Sequence, residues 1–292
     1  MALGSAAAAG PRRIWLCADD YGISTSVSLA IRDLVVRGRI NATSVMVLAP
    51  SFHRAEAGAL DILNGTRPRV SIGLHLTLTA PFRPLTETFK PTRNGSFLPL
   101  LRMGVEACLR RLDVSALAEE IAAQLRRFID LLGRPPQFID GHQHVHLFPQ
   151  VRDAVLQVAN EFAPRAWVRQ CGSPLSFLDM IRNRKGLPLD LMSRSFRRRA
   201  AARGIKTNPA FAGAYEYRDD VDFPALFPSF LDRLPDGSVV MCHPGFVDAE
   251  LRRLDPLTIL REREYAYFSG DTFPAVLTDR GLALASASVE PT

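Results

Sequence analysis

The chain has 292 residues, 47% hydrophobic and 23% charged, ordinary proportions for a soluble globular protein large enough to bury a full core. No apolar run approaches the roughly 18 to 20 residues of a membrane span. The four cysteines (Cys17, Cys108, Cys171, Cys242) form no CxxC pair, which argues against a zinc ribbon or disulfide framework and fits a reducing cytoplasm. The net charge of +6 is local: Arg182 to Lys206 holds nine Lys/Arg and one Asp, so the rest of the chain sums to about −2, unlike a uniformly basic nucleic-acid binder.

Residues 2 to 10 are small and weakly apolar, without the basic start and strong apolar centre of a signal peptide, and residues 1–12 are expected to be a flexible tail. Arg13 to Ala18 is a continuous apolar run, the pattern of a strand buried on both faces of a parallel sheet, and it leads into Asp19-Asp20-Tyr21-Gly22. Ser24 or Thr25 can cap a helix in which Val27, Ala30, Ile31, Leu34 and Val35 recur at helical spacing, with Gly38 placed to end it. A second strand is predicted over Ala42–Leu48, a second helix over Phe52–Leu63, and a third strand over Val70–Thr79 that carries His75. Prolines at 81, 84, 91 and 99 make residues 80–99 a long loop.

Helices follow near 100–110 and 115–132, the latter with Ser115 and Glu119 near its start and Gly133-Arg134-Pro135-Pro136 breaking it. Phe138-Ile139 then reads as a strand running into Asp140-Gly141-His142-Gln143-His144-Val145-His146, with His144 and His146 alternating about Val145 on one strand face. Further along come a helix over Gln150–Phe162, a short strand at Ala166–Arg169, an irregular helical insertion over 172–205, and a strand at Phe211–Gly213. A helix over Phe223–Leu231, a strand over Ser238–Cys242 before His243-Pro244-Gly245, helices near 256–268 and 272–280, and a strand over Leu282–Ala285 complete the chain. Alternating strands and helices imply an α/β fold with mostly parallel strands, one catalytic domain over 13–285 with a basic insertion near 172–206, and a tail over 286–292.

Reactive groups collect at strand ends. Asp19-Asp20, His75, Asp140 with His142, and His243 each close an apolar run, and five of the six histidines lie in three such motifs. Taken singly, each has a plainer reading: adjacent aspartates cap helices, a lone His makes core hydrogen bonds, and His243 before Pro244 shapes a turn. Together they point to a site, because the βα loops of parallel sheets and barrels converge at the carboxyl ends of the strands. A carboxylate with two imidazoles is a common ligand set for a hydrolytic divalent ion that polarises a carbonyl and acidifies water. A second carboxylate can then take a proton from water and a further His can protonate the leaving group.

These motifs, Ala18-Asp19-Asp20-Tyr21-Gly22, Gly73-Leu74-His75-Leu76-Thr77, Asp140 to His146 and Cys242-His243-Pro244-Gly245, resemble those of the YdjC/ChbG-like carbohydrate deacetylases, over about residues 13 to 285. The resemblance implies a (β/α) barrel-like fold and removal of N-acetyl groups from sugars with one divalent ion, Mg or Zn. Carried over by motif, Asp20, His75 and His142 would hold the metal, Asp19 would be the general base and His243 the general acid. Arg169 and Tyr21, the latter where the family usually has Phe, would line the site toward substrate. Asp140, His144 and His146 would stand behind the ligands, and Gly141 replaces a common Ser. The family includes members acting on chitin-type oligosaccharides and the hopanoid-associated HpnK branch, so the implied substrate is an N-acetylated sugar or glycolipid.

Two other readings compete: an esterase or phosphoesterase at the same site, and a non-catalytic sugar- or anionic-surface-binding protein using the basic segment. Nucleic acid is not an expected partner, since Phe196 is the lone aromatic between Arg182 and Lys206. The apolar and cationic mixture from Leu187 to Arg199 is expected to be a solvated helix face or, in the sharper reading, a peripheral contact with the inner face of an anionic membrane. A homodimer is also open.

Overall fold

Strand β1 (Arg12–Tyr21) lies in the middle of the sheet, and its burial from Ile14 onward explains the unbroken apolar run that encodes it. In the computed structural model the described residues are 10–65, 69–173 and 187–287. Helix α1 (Thr25–Val36) follows, its N-terminus capped by the Ser24 hydroxyl accepting from the Val27 N–H. Then come β2 (Ala42–Val45), α2 (Arg54–Asp61) and β3 (Ser71–Leu76), a small hairpin of β4 (Thr92–Arg93) and β5 (Ser96–Phe97), and helices α3 (Leu100–Cys108) and α4 (Val114–Leu132). Asp113, ahead of the expected Ser115, caps α4, and left-handed Gly133 ends it.

Strand β6 (Phe138–Gly141) gives way to a 3-10 turn (His142–Leu147), then α5 (Val151–Phe162) and β7 (Trp167–Val168). Of the basic insertion, residues 174–186 lie outside the described residues, and most of the rest is one regular helix, α6 (Leu187–Ala201). The remainder is β8 (Phe211–Ala212), α7 (Phe223–Phe230), β9 (Ser238–Cys242), α8 (Ala249–Leu254), α9 (Ile259–Ser269), α10 (Thr272–Asp279) and β10 (Leu282–Leu284). The pattern predicts all of these except the β4–β5 hairpin, the 3-10 turn, which it reads as strand, and α8.

Eight strands pair in parallel in the order β7-β6-β3-β2-β1-β9-β8, with β10 beside the first residues of β1. The barrel-like expectation holds, with one irregular seam. Strands β7 and β8 do not pair with each other; backbone bonds from Val168 N–H to the Lys206 carbonyl and from Phe211 N–H to the Gly172 carbonyl tie each to the segment flanking the other. The Asn208 side chain fills the gap between them, accepting from the Gln170 N–H at 2.8 Å and donating to the Gln170 carbonyl at 3.0 Å. Among the described residues no helix is long and apolar enough to cross a membrane.

Because every strand of the sheet runs the same way, the ends of β1, β2, β3, β6, β7 and β9 open on one side. Register then aligns the reactive groups: His75 of β3 stands opposite Asp140 of β6, and Ala18 of β1 opposite both Thr43 of β2 and Cys242 of β9. Gly73 makes the β3–β6 contact sterically feasible, since a Cβ there would lie 2.4 Å from the Phe138 ring, which stacks on Trp167 at 4.7 Å. The long loop after β3 is tied down by α4. Buried Gln124 brackets Thr77 by accepting from its N–H and donating to its carbonyl, and buried Glu120 accepts from the N–H groups of Leu85 and Thr86.

Candidate metal centre and catalytic cavity

A cavity of about 400 Å³ opens at the carboxyl ends of the strands. Asp19, Asp20, His75, His142, His144 and His243 all contribute to its wall. Three donor atoms converge there. Asp20 Oδ1 lies 2.9 Å from His142 Nδ1 and 3.2 Å from His75 Nε2, and one donor atom from each of the three residues falls within 4.8 Å of the others. Asp20 reaches this position with φ of 64°, a left-handed backbone uncommon outside glycine and typical of residues held at functional sites.

The surroundings orient each donor. His75 Nδ1 lies 2.7 Å from Asp140 Oδ1, so its proton points at that carboxylate and Nε2 is left to face Asp20. The second oxygen of Asp20 is taken by Arg261 Nη2 at 2.6 Å, which leaves Oδ1 for the centre. Arg169 clamps Asp19 through both carboxylate oxygens, at 2.6 and 2.7 Å, and pairs with Asp140 Oδ2 at 2.6 Å. A continuous path of charge and hydrogen bonds therefore links His75, Asp140, Arg169 and Asp19.

The electrostatics fit a cation. Asp19, Asp20, Asp140 and Asp255 share two guanidiniums, Arg169 and Arg261, all essentially excluded from water. Buried charge of one sign in excess requires a counter-charge. Burial opposes ionisation of Asp19, but Arg169 overrides it and keeps the carboxyl well below the usual carboxylate range; Arg261 and His142 do the same for Asp20. Burial likewise disfavours a charged His75, yet Asp140, Asp20 and Asp19 outweigh it and raise the imidazole to about 10. His75 is therefore held as the imidazolium near pH 7, its Nε2–H facing Asp20 Oδ1 at 3.2 Å in the place a divalent cation would take. An oxygen and two imidazole nitrogens are a donor set that divalent ions such as Zn accept, so the residues fit such an ion.

The other predicted site residues fall into two groups. His243 follows β9, faces the cavity, and has Tyr217 Oη 3.4 Å from its Nδ1. Burial pulls its imidazole down to about 4, so it is neutral near pH 7. His144 and His146 do not alternate on a strand: Gln143 and His144 have φ of 54° and 59°, and the chain turns there. His144 joins the cavity wall, while His146 is fully buried with its Nε2 2.9 Å from the Arg169 carbonyl oxygen, which fixes the strand end carrying Arg169. Gly141 matters here, because a Cβ at this position would come within 2.9 Å of His146 Nδ1.

Two residues expected to line the site toward substrate are buried. Arg169 is 0% exposed, lies behind Asp19, and has both its terminal nitrogens engaged by carboxylates. Tyr21 is also 0% exposed and is not among the residues that line the cavity. Its hydroxyl donates to Glu56 and accepts from Arg32.

Three supporting residues escaped the sequence reading. Ser44 Oγ lies 2.9 Å from His75 Nδ1 and 3.3 Å from Asp19 Oδ1, Arg261 holds Asp20, and Glu264 accepts from the His243 N–H and from the Tyr215 hydroxyl. Burial raises Glu264 to about 7 despite those two donors. Folded Glu264 keeps a proton that the unfolded chain releases near its ordinary 4.5, so its contribution to stability is complete below that value and is lost as pH rises to about 7. Glu264→Gln is expected to flatten the stability loss across this window. Denaturant midpoints that fall as steeply with pH in the variant as in the parent would count against it.

The model of a family described as YdjC-like protein matches residues 13–279. A chitooligosaccharide deacetylase of Citrobacter koseri is 28% identical over 254 residues, covering 86% of this chain and 84% of that protein. One of Escherichia fergusonii is 28% identical over 281 residues, covering 92% and 95%. In shape, the chain is similar to a candidate cellobiose-phosphate cleavage protein of Enterococcus faecalis V583, with a TM-score of 0.74 at 20% identity over 95% of this chain and 98% of that one. With the family model spanning nearly the whole described domain and both relatives matched along most of their length, this chain belongs to the YdjC-like family.

Proposed function

We propose that the protein is a metal-dependent hydrolase that removes the N-acetyl group from an acetylated amino sugar, carried on an oligosaccharide or a glycolipid. The observation that carries this reading is the convergence of Asp20 Oδ1, His75 Nε2 and His142 Nδ1 beside Asp19 and His243 on one cavity wall. A divalent ion held by Asp20, His75 and His142, with Mg and Zn the leading candidates, would supply Lewis acidity toward the acetyl carbonyl and acidify water. Hydrolysis of the amide adds hydroxyl to the acetyl carbon and a proton to the departing nitrogen. Asp19, kept ionised by Arg169, accepts the proton that water gives up. His243, neutral at rest, hands the amine a proton taken up during turnover. Asp140 holds the proton on His75 Nδ1, so Nε2 is the nitrogen turned toward Asp20 and the ion.

A neutral amide suits this cavity better than a phosphoester does. Its wall, among the described residues, includes four aspartates and no Lys or Arg to receive a phosphate. The same reading places the protein in the cytoplasm, consistent with four free cysteines, three of them buried. It also gives the basic segment a peripheral membrane contact, of which α6 is the described part.

The test is acetate release from a panel of N-acetylated sugars and glycolipids, with and without a chelator. Release that a chelator abolishes and added divalent ion restores is expected. A fully metal-loaded protein inert toward the whole panel would remove the reading. His243→Ala should keep its metal, slow turnover by about 10²–10⁴-fold, and recover in part on acetyl substrates with better leaving groups, which need no proton donor. Equal losses on good and poor leaving groups would deny His243 the acid role.

A further inference from the structure

Helix α3 has two apolar faces. Met103 and Ala107 are buried, as the packed face of a surface helix should be, and Leu100 reaches the cavity wall. On the outward side Leu101, Val105 and Leu109, spaced four residues apart, are 84%, 48% and 54% exposed, and Val114 at the start of α4 is 50% exposed. Four of the twelve exposed large hydrophobic residues among those described therefore sit within fourteen positions. Scattered apolar residues are normal on a surface, but a stripe is not.

The stripe is bordered by cations. Arg102, Arg110 and Arg111 are exposed beside it. Helix α6 adds Arg197 and Arg198, which with Leu191 line an open groove on its outer side. Each of the two helices packs on the 142–147 turn that carries the cavity histidines, and α6 also packs on α5. Burial lowers Arg152 of α5, and Arg199 of α6 and Arg110 after α3 lower it further against the Asp153 carboxylate, so the three guanidiniums lie near one another. An apolar stripe framed by arginines is the make-up of a helix that lies in a bilayer interface, where the side chains enter the headgroup region and the cations meet anionic lipid.

We infer that the α3 stripe of Leu101, Val105 and Leu109, with the arginines of α3 and α6 around it, docks the protein on an anionic bilayer so that the cavity mouth meets the headgroup layer. The substrate taken from such a surface is an acetylated sugar borne on a lipid. That last point rests on the hydrolase reading; the docking does not.

The experiment is sedimentation of the full chain with phosphatidylcholine vesicles, with and without phosphatidylglycerol, run beside acetate release from a soluble chitooligosaccharide. Binding to the anionic vesicles, weakened by salt, is expected. Leu101→Asp with Leu109→Asp, and separately Arg197→Glu with Arg198→Glu, should each reduce partitioning at least about tenfold while leaving folding and soluble turnover as in the parent. Absence of binding to anionic vesicles would overturn the inference. So would binding that survives both variants, or a Leu101→Asp, Leu109→Asp protein that changes from dimer to monomer without losing lipid binding, since the stripe would then be covered by a second copy. A chain that binds vesicles and releases no acetate from any substrate keeps the docking and sinks the hydrolase reading instead.

Discussion

Asp19→Asn is expected to bind its divalent ion with the stoichiometry of the parent and to turn over at least about a hundredfold more slowly, whereas Asp20→Asn is expected to lose the ion. The two carboxylates are adjacent in sequence and have different tasks in space. Asp20 turns through a left-handed backbone to aim Oδ1 at His75 and His142. Asp19 has both oxygens in the Arg169 clamp, facing the cavity without joining the donor cluster. An amide at position 19 keeps the shape but cannot accept a proton, and Arg169 retains Asp140 as a partner. An amide at position 20 removes the anionic member of the donor set, and Arg261 retains Asp255. Metal content and turnover measured on the same preparations separate the roles. An Asp19→Asn protein that is empty of metal, or nearly as fast as the parent, would overturn them.

Much of this was legible because strands announce themselves by continuous apolar runs and because each run ends in the group it delivers. Asp20, His75, His142 and His243 could be gathered without knowing any distance, since parallel strands bring their ends together. What stayed hidden came from helices. In α9 the buried positions are Leu260, Arg261, Glu264, Tyr267 and Phe268, an inward stripe with two charged members. A helix with Arg, Glu, Arg and Glu among its residues reads as a solvated face, and only the helical phase of Arg261 and Glu264 with their apolar neighbours betrays them. The misreading of His144 and His146 has another cause. Polar and apolar residues alternate from His144 to Leu147 as in a strand, but the left-handed backbone at Gln143 and His144 breaks the period, and His146 ends fully buried. Tyr21 and Arg169 were assigned by motif alone, and motif position says nothing of which way a side chain points.

Arg169→Met is expected to destabilise the protein by about 3–5 kcal/mol at neutral pH, the cost of leaving buried carboxylates without their partner. Arg169 is 0% exposed and is the cation on which Asp19 and Asp140 both close. Methionine fills much of the volume, so the loss measures charge more than packing. The dependence on pH gives the diagnosis. In the parent, Asp19 is held below its ordinary 3.8, so its contribution is present above that value and fades as pH falls. In the variant, burial without the guanidinium raises the same carboxyl, so the variant loses stability as pH rises through the raised value. The gap between the two proteins should therefore widen from acid toward neutral pH. Adding Asp19→Asn should recover part of the loss, because the two changes touch one network and their effects are not additive. Arg169→Lys, one compact charge for two carboxylates, should fall between parent and Met variant. Denaturant melts of these four proteins across pH check the scheme, and a Met variant as stable as the parent at neutral pH would show that Asp19 and Asp140 do not depend on Arg169.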